Sequence, residues 1–204
     1  MTVADSTIHS KITAVILAGG QGRRMGGKDK GLIDFADKPL IQSVIEKIRP
    51  QVEHVIINAN RNVSEYEAFG YPVISDTMNN FQGPLAGFLA AMEAATTEYI
   101  VCVPCDGPML SDRLVMRLAN QLLEKHAEIA VAHDGDRLQP VYALISTHLK
   151  DSLERYLQSG ERKIDRWYAD HKMTMVDFSD SPDTFLNINT RQERDILQSK
   201  RSVA

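Results

Sequence analysis

The feature that most constrains this chain is an apolar run, residues 14–18, that ends abruptly in a glycine-rich stretch, residues 19–31. That stretch contains six glycines and four basic residues. Glycine lets the backbone approach a ligand closely because it has no Cβ atom. Successive backbone amides in such a loop form a concave surface of positive potential. An apolar strand that leads into this loop predicts a binding site for a polyphosphate.

Apolar runs alternate along the chain with segments of helical periodicity, a pattern typical of βαβ units. The runs that predict strands are residues 12–18, 55–57, 72–76, 99–103, 129–132, 141–145 and 173–178. The segments that predict helices are residues 40–48, 63–69, 84–92, 114–122, 148–157 and 161–170. We therefore predict an α/β fold with a mainly parallel central sheet. Ser111 is the expected N-cap of one helix, and Thr190 and Glu193 have the spacing of a capping box.

The chain of 204 residues has the length of one domain, to which we assign residues 12–204. The polar residues 1–11 are expected to form a flexible tail rather than a signal or transit peptide. No apolar run reaches the roughly 20 residues that a membrane span needs. The formal net charge of −4 argues against a general nucleic-acid binder. We therefore expect a cytoplasmic monomer that binds neither membranes nor nucleic acids.

The two cysteines, Cys102 and Cys105, have the spacing of a redox pair. They can also be two small apolar residues at the end of a buried strand. Asp106 follows directly, and its negative charge raises the pKa of a neighbouring thiol, whereas a redox thiol needs a lowered pKa. We favour the structural interpretation.

Two short phosphate-binding motifs fit the glycine-rich stretch only in part. A Walker A loop matches residues 22–28, but Asp29 stands where a hydroxyl group would hold Mg²⁺. The dinucleotide fingerprint G-x-G-x-x-G fits Gly20 and Gly22 but fails at Met25. A stretch so dense in glycine produces both partial matches by chance, so we assign neither motif.

Polar residues stand at or just after the ends of several predicted strands. Three of them are Asn58, Asp76 and Asp106, and the first strand runs into the glycine-rich stretch. Ligands of open α/β sheets bind outside the carboxyl ends of the strands. We therefore expect these residues to lie at one edge of the sheet, although an aspartate in such a place can also serve only as a turn cap.

The full pattern of residues 17–32, LAGGxGRRMGGxDKGL, resembles the signature of nucleotidyltransferases that activate sugar phosphates. Its RMGGxDK form resembles the molybdenum cofactor guanylyltransferases in particular. The resemblance continues through residues 58–60, 76, 83–87, 104–106 and 185–190. It implies a three-layer, Rossmann-like nucleotidyltransferase fold. It also implies transfer of GMP from GTP to the terminal phosphate of molybdopterin, with Mg²⁺ as cofactor and pyrophosphate as second product.

The resemblance also implies which residues act on GTP. The positions that match nucleotide-binding positions of the family are Leu17, Ala18, Gly19, Lys30, Asn58, Asp76 and Asp106. Lys30 and an Mg²⁺ ion on Asp106 would act on the α-phosphate, and Arg24 would act on the departing pyrophosphate. No general base is needed, because the second pKa of a phosphate monoester lies near 6 and the attacking group is already an anion.

On the acceptor side, toward the pterin, the resemblance places Gly83, Asn187 and Asn189. Relatives often carry a hydroxyl residue where this chain has Gly107, so this glycine could loosen the loop that follows Asp106. Proteins that make the cofactor, or apo-molybdoenzymes that receive it, are the expected transient partners. Two alternatives stay open, which are a sugar-phosphate or cytidylyl transferase and a GTP-binding carrier without catalysis.

Overall fold

The computed structural model describes residues 8–20, 29–78, 83–188 and 193. The strands in these ranges are β1 (Ile12–Leu17), β2 (Asp34–Phe35), β3 (Lys38–Pro39), β4 (His54–Asn58), β5 (Val73–Ile74), β6 (Tyr99–Pro104), β7 (Ile129–His133), β8 (Leu138–Ser146) and β9 (Met173–Asp177). The helices are α1 (Leu40–Ile48), α2 (Val63–Glu67), α3 (Pro84–Ala94), α4 (Leu114–Glu124), α5 (Lys150–Gln158) and α6 (Ile164–Ala169).

Seven of these strands form one sheet in the order β5-β4-β1-β6-β8-β7-β9. Only β8 is antiparallel to its two neighbours, because a short turn after His133 returns the chain directly beside β7. The other neighbouring strands of this sheet pair in parallel. The predicted mainly parallel sheet is thus confirmed. The short hairpin of β2 and β3 is separate from it and was not predicted.

Helices cover both faces of the sheet and complete three layers. Ala14 and Ile16 of β1 face a core that includes apolar residues of α1 and α4. Val15, which points the other way, belongs to a second core with residues of α3, α5 and α6. Because alternate residues of one strand enter different cores, the central strands are apolar throughout. The predicted three-layer fold is confirmed.

The N-cap of α4 differs from the sequence prediction. The N-cap of α4 is Arg113, and Ser111 instead accepts the backbone N–H of Arg113 on its Oγ at 3.2 Å. The side-chain Oε1 of Gln51 accepts the N–H of Val115 at 3.0 Å and so supplies the cap from 64 residues away. Thr190 of the expected capping box lies outside the described residues.

Both cysteines are buried and form no disulfide. Burial raises the pKa of each thiol, and the charge of Asp106 raises that of Cys105 further. These surroundings favour the structural interpretation of the pair. Within the described ranges, no helix has the length and apolar composition to cross a bilayer.

Candidate active site

The carboxyl ends of four strands meet at one edge of the sheet. Leu17, the last residue of β1, pairs with Asn58 of β4 on one side and with Pro104 of β6 on the other. Asn58 in turn pairs with Ile74 of β5. Just beyond, the backbone N–H of Ala18 donates to the carbonyl of Asn58 at 2.8 Å. The convergence that the sequence predicted for these strand ends is confirmed.

Two asparagines hold Asp76 at this edge. Nδ2 of Asn58 donates to Oδ1 of Asp76 at 3.0 Å, and Nδ2 of Asn60 donates to Oδ2 at 2.7 Å. Asn60 also accepts the backbone N–H of Asp76 on Oδ1 at 2.8 Å. Gly19 lies against the same cluster, since a Cβ atom there would come within 2.9 Å of Nδ2 of Asn60. The cluster therefore brings together Gly19, Asn58 and Asp76, three of the predicted nucleotide-binding residues.

Lys30 and Asp106 form an ion pair just beyond the carboxyl end of β6. Nζ of Lys30 lies 3.1 Å from Oδ2 of Asp106, and both side chains are partly screened from solvent. Lys30 begins a 3₁₀ turn, Lys30–Leu32, at the end of the glycine-rich stretch, whereas Asp106 follows β6. The turn and the strand end thus bring together a cation and a carboxylate that are 76 residues apart.

Asp29, the residue next to Lys30, is buried and belongs to a separate polar cluster. Its carboxylate accepts hydrogen bonds from the hydroxyl of Tyr66 and from Nδ2 of Asn62. Nε of Arg61 lies 3.4 Å from the same carboxylate. Asp29 is therefore held near the end of the glycine-rich stretch by these three side chains. The Walker A interpretation, which placed Asp29 at the metal, does not fit this arrangement.

The expected acceptor-side residues are described only in part. Gly83 is the N-cap of α3, with φ of 77°. Asn187 accepts a hydrogen bond from the hydroxyl of Tyr142 at 3.1 Å. The backbone N–H of Ile188, the next residue, donates to the carbonyl of Asp106 at 2.9 Å. The segment that carries Asn187 is thus tied to the loop that follows β6. Asn189 and Arg24 lie outside the described residues.

Gly107 does not leave a gap in that loop. A Cβ atom on Gly107 would lie 2.3 Å from the hydroxyl oxygen of Tyr142, so the tyrosine already occupies the place of a side chain. Burial raises the pKa of this tyrosine, and the charge of Asp106 adds to the effect, so its hydroxyl keeps the proton that it donates. The packing around Gly107 does not support the expectation of a loosened loop.

A metal at this edge would have one strong candidate ligand from the chain. In the part of the chain that the structure describes, no three histidine, cysteine, aspartate or glutamate side chains are arranged to hold a metal together. Asp106 therefore offers a single carboxylate beside the place expected for phosphates. That donor set fits Mg²⁺, which commonly takes one or two carboxylates and completes its shell with phosphate oxygens and water.

Some residues of the site were not assigned from the sequence. Asn60 completes the cluster around Asp76, Tyr66 holds Asp29, and Tyr142 contacts both Gly107 and Asn187. Asn60 lies in a segment already noted in the resemblance, so its spacing of two from Asn58 was an available signal. The two tyrosines stand in apolar or helical segments, where no local pattern distinguishes them from core residues.

Known proteins resemble the chain over most of its length. A family model described as a MobA-like NTP transferase domain matches residues 14–174. The molybdenum cofactor guanylyltransferase of Shewanella sediminis is 49% identical over 187 residues, which is 92% of this chain and 95% of that protein. The namesake enzyme of Shewanella pealeana is 47% identical over 188 residues, or 92% and 94% of the two chains.

Solved structures share the fold at lower identity. Molybdopterin-guanine dinucleotide biosynthesis protein A from Archaeoglobus fulgidus superimposes with a TM-score of 0.79 at 23% identity, covering 95% of this chain and 100% of that one. The 4-diphosphocytidyl-2C-methyl-D-erythritol synthase from Anaerococcus prevotii superimposes with a TM-score of 0.73 at 13% identity, covering 96% and 97%. At these identities the two structures establish the fold alone.

Proposed function

The chain belongs to the molybdenum cofactor guanylyltransferases, a family with the MobA-like NTP transferase domain, and on this premise we propose the reaction of its site. The enzyme is a nucleotidyltransferase. It transfers GMP from GTP to the terminal phosphate of molybdenum-molybdopterin, which yields the molybdopterin guanine dinucleotide cofactor and pyrophosphate. The high identity to guanylyltransferases over nearly the whole chain favours this reaction over the cytidylyl or sugar-phosphate alternatives.

The observation that carries the proposal is the ion pair between Lys30 and Asp106 at the carboxyl ends of β1 and β6. Transfer between two phosphates has to overcome repulsion between anions, and charge accumulates on the leaving group. Positioning and electrostatic stabilisation dominate this chemistry. A fixed cation next to a carboxylate that can bind a metal meets that requirement.

The family suggests a divalent metal, and we assign Mg²⁺ to Asp106. When bound there, Mg²⁺ would neutralise negative charge on the phosphates of GTP. Lys30 would leave the carboxylate and turn its ammonium group to the α-phosphate. We assign Arg24 to the departing pyrophosphate. The acceptor phosphate needs no base from the chain, because its second pKa near 6 leaves it largely ionised at neutral pH.

We assign GTP to the edge between β1 and β5. The backbone of residues 17–19 would hold the nucleotide, with the cluster of Asn58, Asn60 and Asp76 forming a wall of fixed polar groups beside Gly19. Because both carboxylate oxygens of Asp76 accept amide hydrogen bonds, that wall has a defined shape before the substrate arrives. Preorganisation of this kind lowers the entropy lost on binding.

The acceptor, molybdopterin, is assigned to the side of Gly83, Asn187 and Asn189. Residues 12–204 are proposed to work as one domain, as a cytoplasmic monomer. Cofactor-synthesis proteins or apo-molybdoenzymes would take up the product through transient contact.

One experiment separates the three functions considered. The protein is incubated with each of the four nucleoside triphosphates, Mg²⁺ and molybdopterin, and pyrophosphate release and product mass are measured. We expect a product only with GTP, of the mass of molybdopterin guanine dinucleotide. Turnover with CTP or UTP and a sugar phosphate would move the chain to the neighbouring activities. Tight GTP binding without turnover would indicate a carrier.

A further inference from the structure

Tyr142 reaches the proposed acceptor side from the middle of the fold. It stands on β8, with only 2% of its surface exposed. Its ring packs edge-on against Phe185, with ring centroids 4.9 Å apart, and Phe185 packs in turn against Phe178. The side chain is therefore held rigidly, and its hydroxyl stays where Asn187 and Gly107 meet.

The tyrosine hydroxyl determines how Asn187 presents its amide. An asparagine side chain offers an oxygen that accepts and a nitrogen that donates. Since Oδ1 of Asn187 accepts the hydrogen bond from Tyr142, the donors that Asn187 can offer a substrate are those of Nδ2. An amide donor suits an anionic group such as a phosphate monoester. The backbone bond from Ile188 to Asp106 holds the same segment against the proposed metal site.

The hydroxyl group of Tyr142 lies directly against Gly107. A Cβ atom at this position would lie 2.3 Å from the tyrosine oxygen, 3.5 Å from Cζ of the same ring and 3.3 Å from Oδ1 of Asn187. The hydroxyl thus fills the space that a small side chain at position 107 would need. A hydroxyl group on a side chain at position 107 should therefore be able to replace the hydroxyl group of Tyr142.

We propose that Tyr142 is a positioning residue for the acceptor phosphate, acting through Asn187, and that Gly107 is the residue that makes room for it. This inference rests on the proposed function, because it takes Asn187 to face the acceptor. Tyr142 itself touches neither substrate. Its hydroxyl sets the orientation of the Asn187 amide and supports the loop between Asp106 and Pro108.

The first test is Tyr142→Phe, which keeps the ring and removes only the hydroxyl. We expect the KM for molybdopterin to rise about tenfold, as the loss of one well-placed hydrogen bond does, while the KM for GTP changes less than about twofold. The matched control is Tyr168→Phe, because Tyr168 is equally buried, belongs to the core on the other face of the sheet, and its hydroxyl donates to the carbonyl of Pro140 at 2.7 Å rather than to Asn187. That control should change stability but neither KM.

The second test moves the hydroxyl to position 107. Gly107→Ser alone should impair turnover, because its Cβ collides with the oxygen of Tyr142. In the Tyr142→Phe background the nearest ring atom is 3.5 Å from this Cβ position, and Oδ1 of Asn187 is 3.3 Å from it. The serine therefore fits if the Asn187 side chain shifts by a few tenths of an ångström, and its hydroxyl can then donate to that oxygen. The double variant should recover a KM for molybdopterin within about threefold of the wild type. If the two substitutions instead have additive effects on the KM for molybdopterin, a hydroxyl at position 107 does not replace that of Tyr142.

The outcomes keep the two proposals apart. A wild-type protein that forms no product from GTP and molybdopterin contradicts the proposed function. If the wild type is active and Tyr142→Phe has an unchanged KM for molybdopterin, only the role of Tyr142 is wrong. Anaerobic calorimetry with molybdopterin gives a second measurement that needs no turnover. There a tenfold weaker Kd in Tyr142→Phe supports the positioning role, and an equal Kd contradicts it.

Discussion

Nζ of Lys30 lies 3.1 Å from Oδ2 of Asp106, although the two residues come from different elements, a 3₁₀ turn and a strand end. In the proposed reaction Lys30 acts on the α-phosphate and Asp106 binds the metal. Their pairing keeps each charge in place and partly compensated before the nucleotide binds. In the proposed reaction, GTP and its metal would replace this ion pair by two new ones, between Lys30 and the phosphates and between Asp106 and the metal.

Lys30→Met removes the ammonium group while keeping most of the aliphatic stem. We expect kcat to fall on the order of 10²-fold or more, as it does when a major electrostatic stabiliser is lost. Pyrophosphate release under saturating GTP measures the effect. The control is Lys47→Met, since Lys47 forms an exposed pair with Asp112 at 2.9 Å that contributes little stability. A Lys30→Met enzyme that loses only thermal stability would make Lys30 a structural residue.

Asp106→Asn keeps the size of the side chain but removes its charge. Turnover that depends on Mg²⁺ should be lost, because Asp106 is the one residue to which we assign the metal. The measurement is the rate as a function of Mg²⁺ concentration, with Asp112→Asn as the control on an exposed carboxylate. Near-normal rates with an unchanged Mg²⁺ dependence in Asp106→Asn would falsify the metal role.

Asn60→Asp tests the cluster that the sequence did not assign. Nδ2 of Asn60 lies 2.7 Å from Oδ2 of Asp76, so the variant places two carboxylate oxygens against each other. Repulsion between like charges should open the cluster and raise the KM for GTP about tenfold or more at neutral pH, with little change in the KM for molybdopterin. Asn120→Asp, the same change on an exposed face of α4, is the control. Equal KM values for GTP in both variants would show that Asn60 does not contribute to the GTP site.

The sequence predicted the parts of this site that depend on strand ends. Asn58, Asp76 and Asp106 were identified because parallel strands place their carboxyl ends at one edge, and periodicity located the strands. It did not predict Tyr142, because a tyrosine in an apolar run looks like a core residue. Only the antiparallel return of β8 brings its hydroxyl to Asn187, 45 residues away.

Helix ends show the same limit. Ser111 has the residue type of an N-cap, yet Gln51 caps α4 from 64 residues away. A local pattern can predict where a helix begins, but a side chain distant in sequence can supply the acceptor for the first backbone N–H groups of that helix. Asp29 is a further example, since its burial among Asn62, Tyr66 and Arg61 could not be read from its place beside the glycine-rich stretch.

Tyr66→Phe tests the anchor of that stretch. The hydroxyl of Tyr66 donates to the buried carboxylate of Asp29, and burial raises the pKa of this tyrosine so that it remains a donor. Loss of a hydrogen bond to a charged group should lower the free energy of unfolding by about 1.5–3 kcal/mol, measured by urea denaturation. Tyr156→Phe, which removes a hydroxyl bonded to the carbonyl of Lys163 at the surface, should cost clearly less. Equal decreases in the free energy of unfolding would show that the hydrogen bond from Tyr66 to Asp29 stabilises the fold no more than the exposed bond of Tyr156 does.

Asp134 gives a prediction for pH that concerns the turn between β7 and β8. Its Oδ1 accepts the backbone N–H groups of Asp136 and Arg137 at 2.9 and 2.8 Å, and these bonds lower its pKa to about 2. A carboxylate whose pKa is lower in the folded state stabilises the fold above its unfolded pKa. That contribution should be complete above about pH 5, where an unfolded aspartate is almost fully ionised, and should be lost as the pH falls toward 2.

The variant Asp134→Asn isolates this contribution, because its amide oxygen can still accept the two backbone bonds but carries no charge. The carboxylates of Glu128, Asp177 and Asp180 also have lowered pKa values, but they are present in both proteins and cancel in the difference. The free energy of unfolding, measured by urea denaturation at pH 2, 3, 4 and 6, should favour the wild type most at pH 6. The advantage should shrink toward pH 2, since protonation removes the charge from the wild type as well. A difference that stays constant from pH 6 to pH 2 would show that the charge of Asp134 does not stabilise the turn.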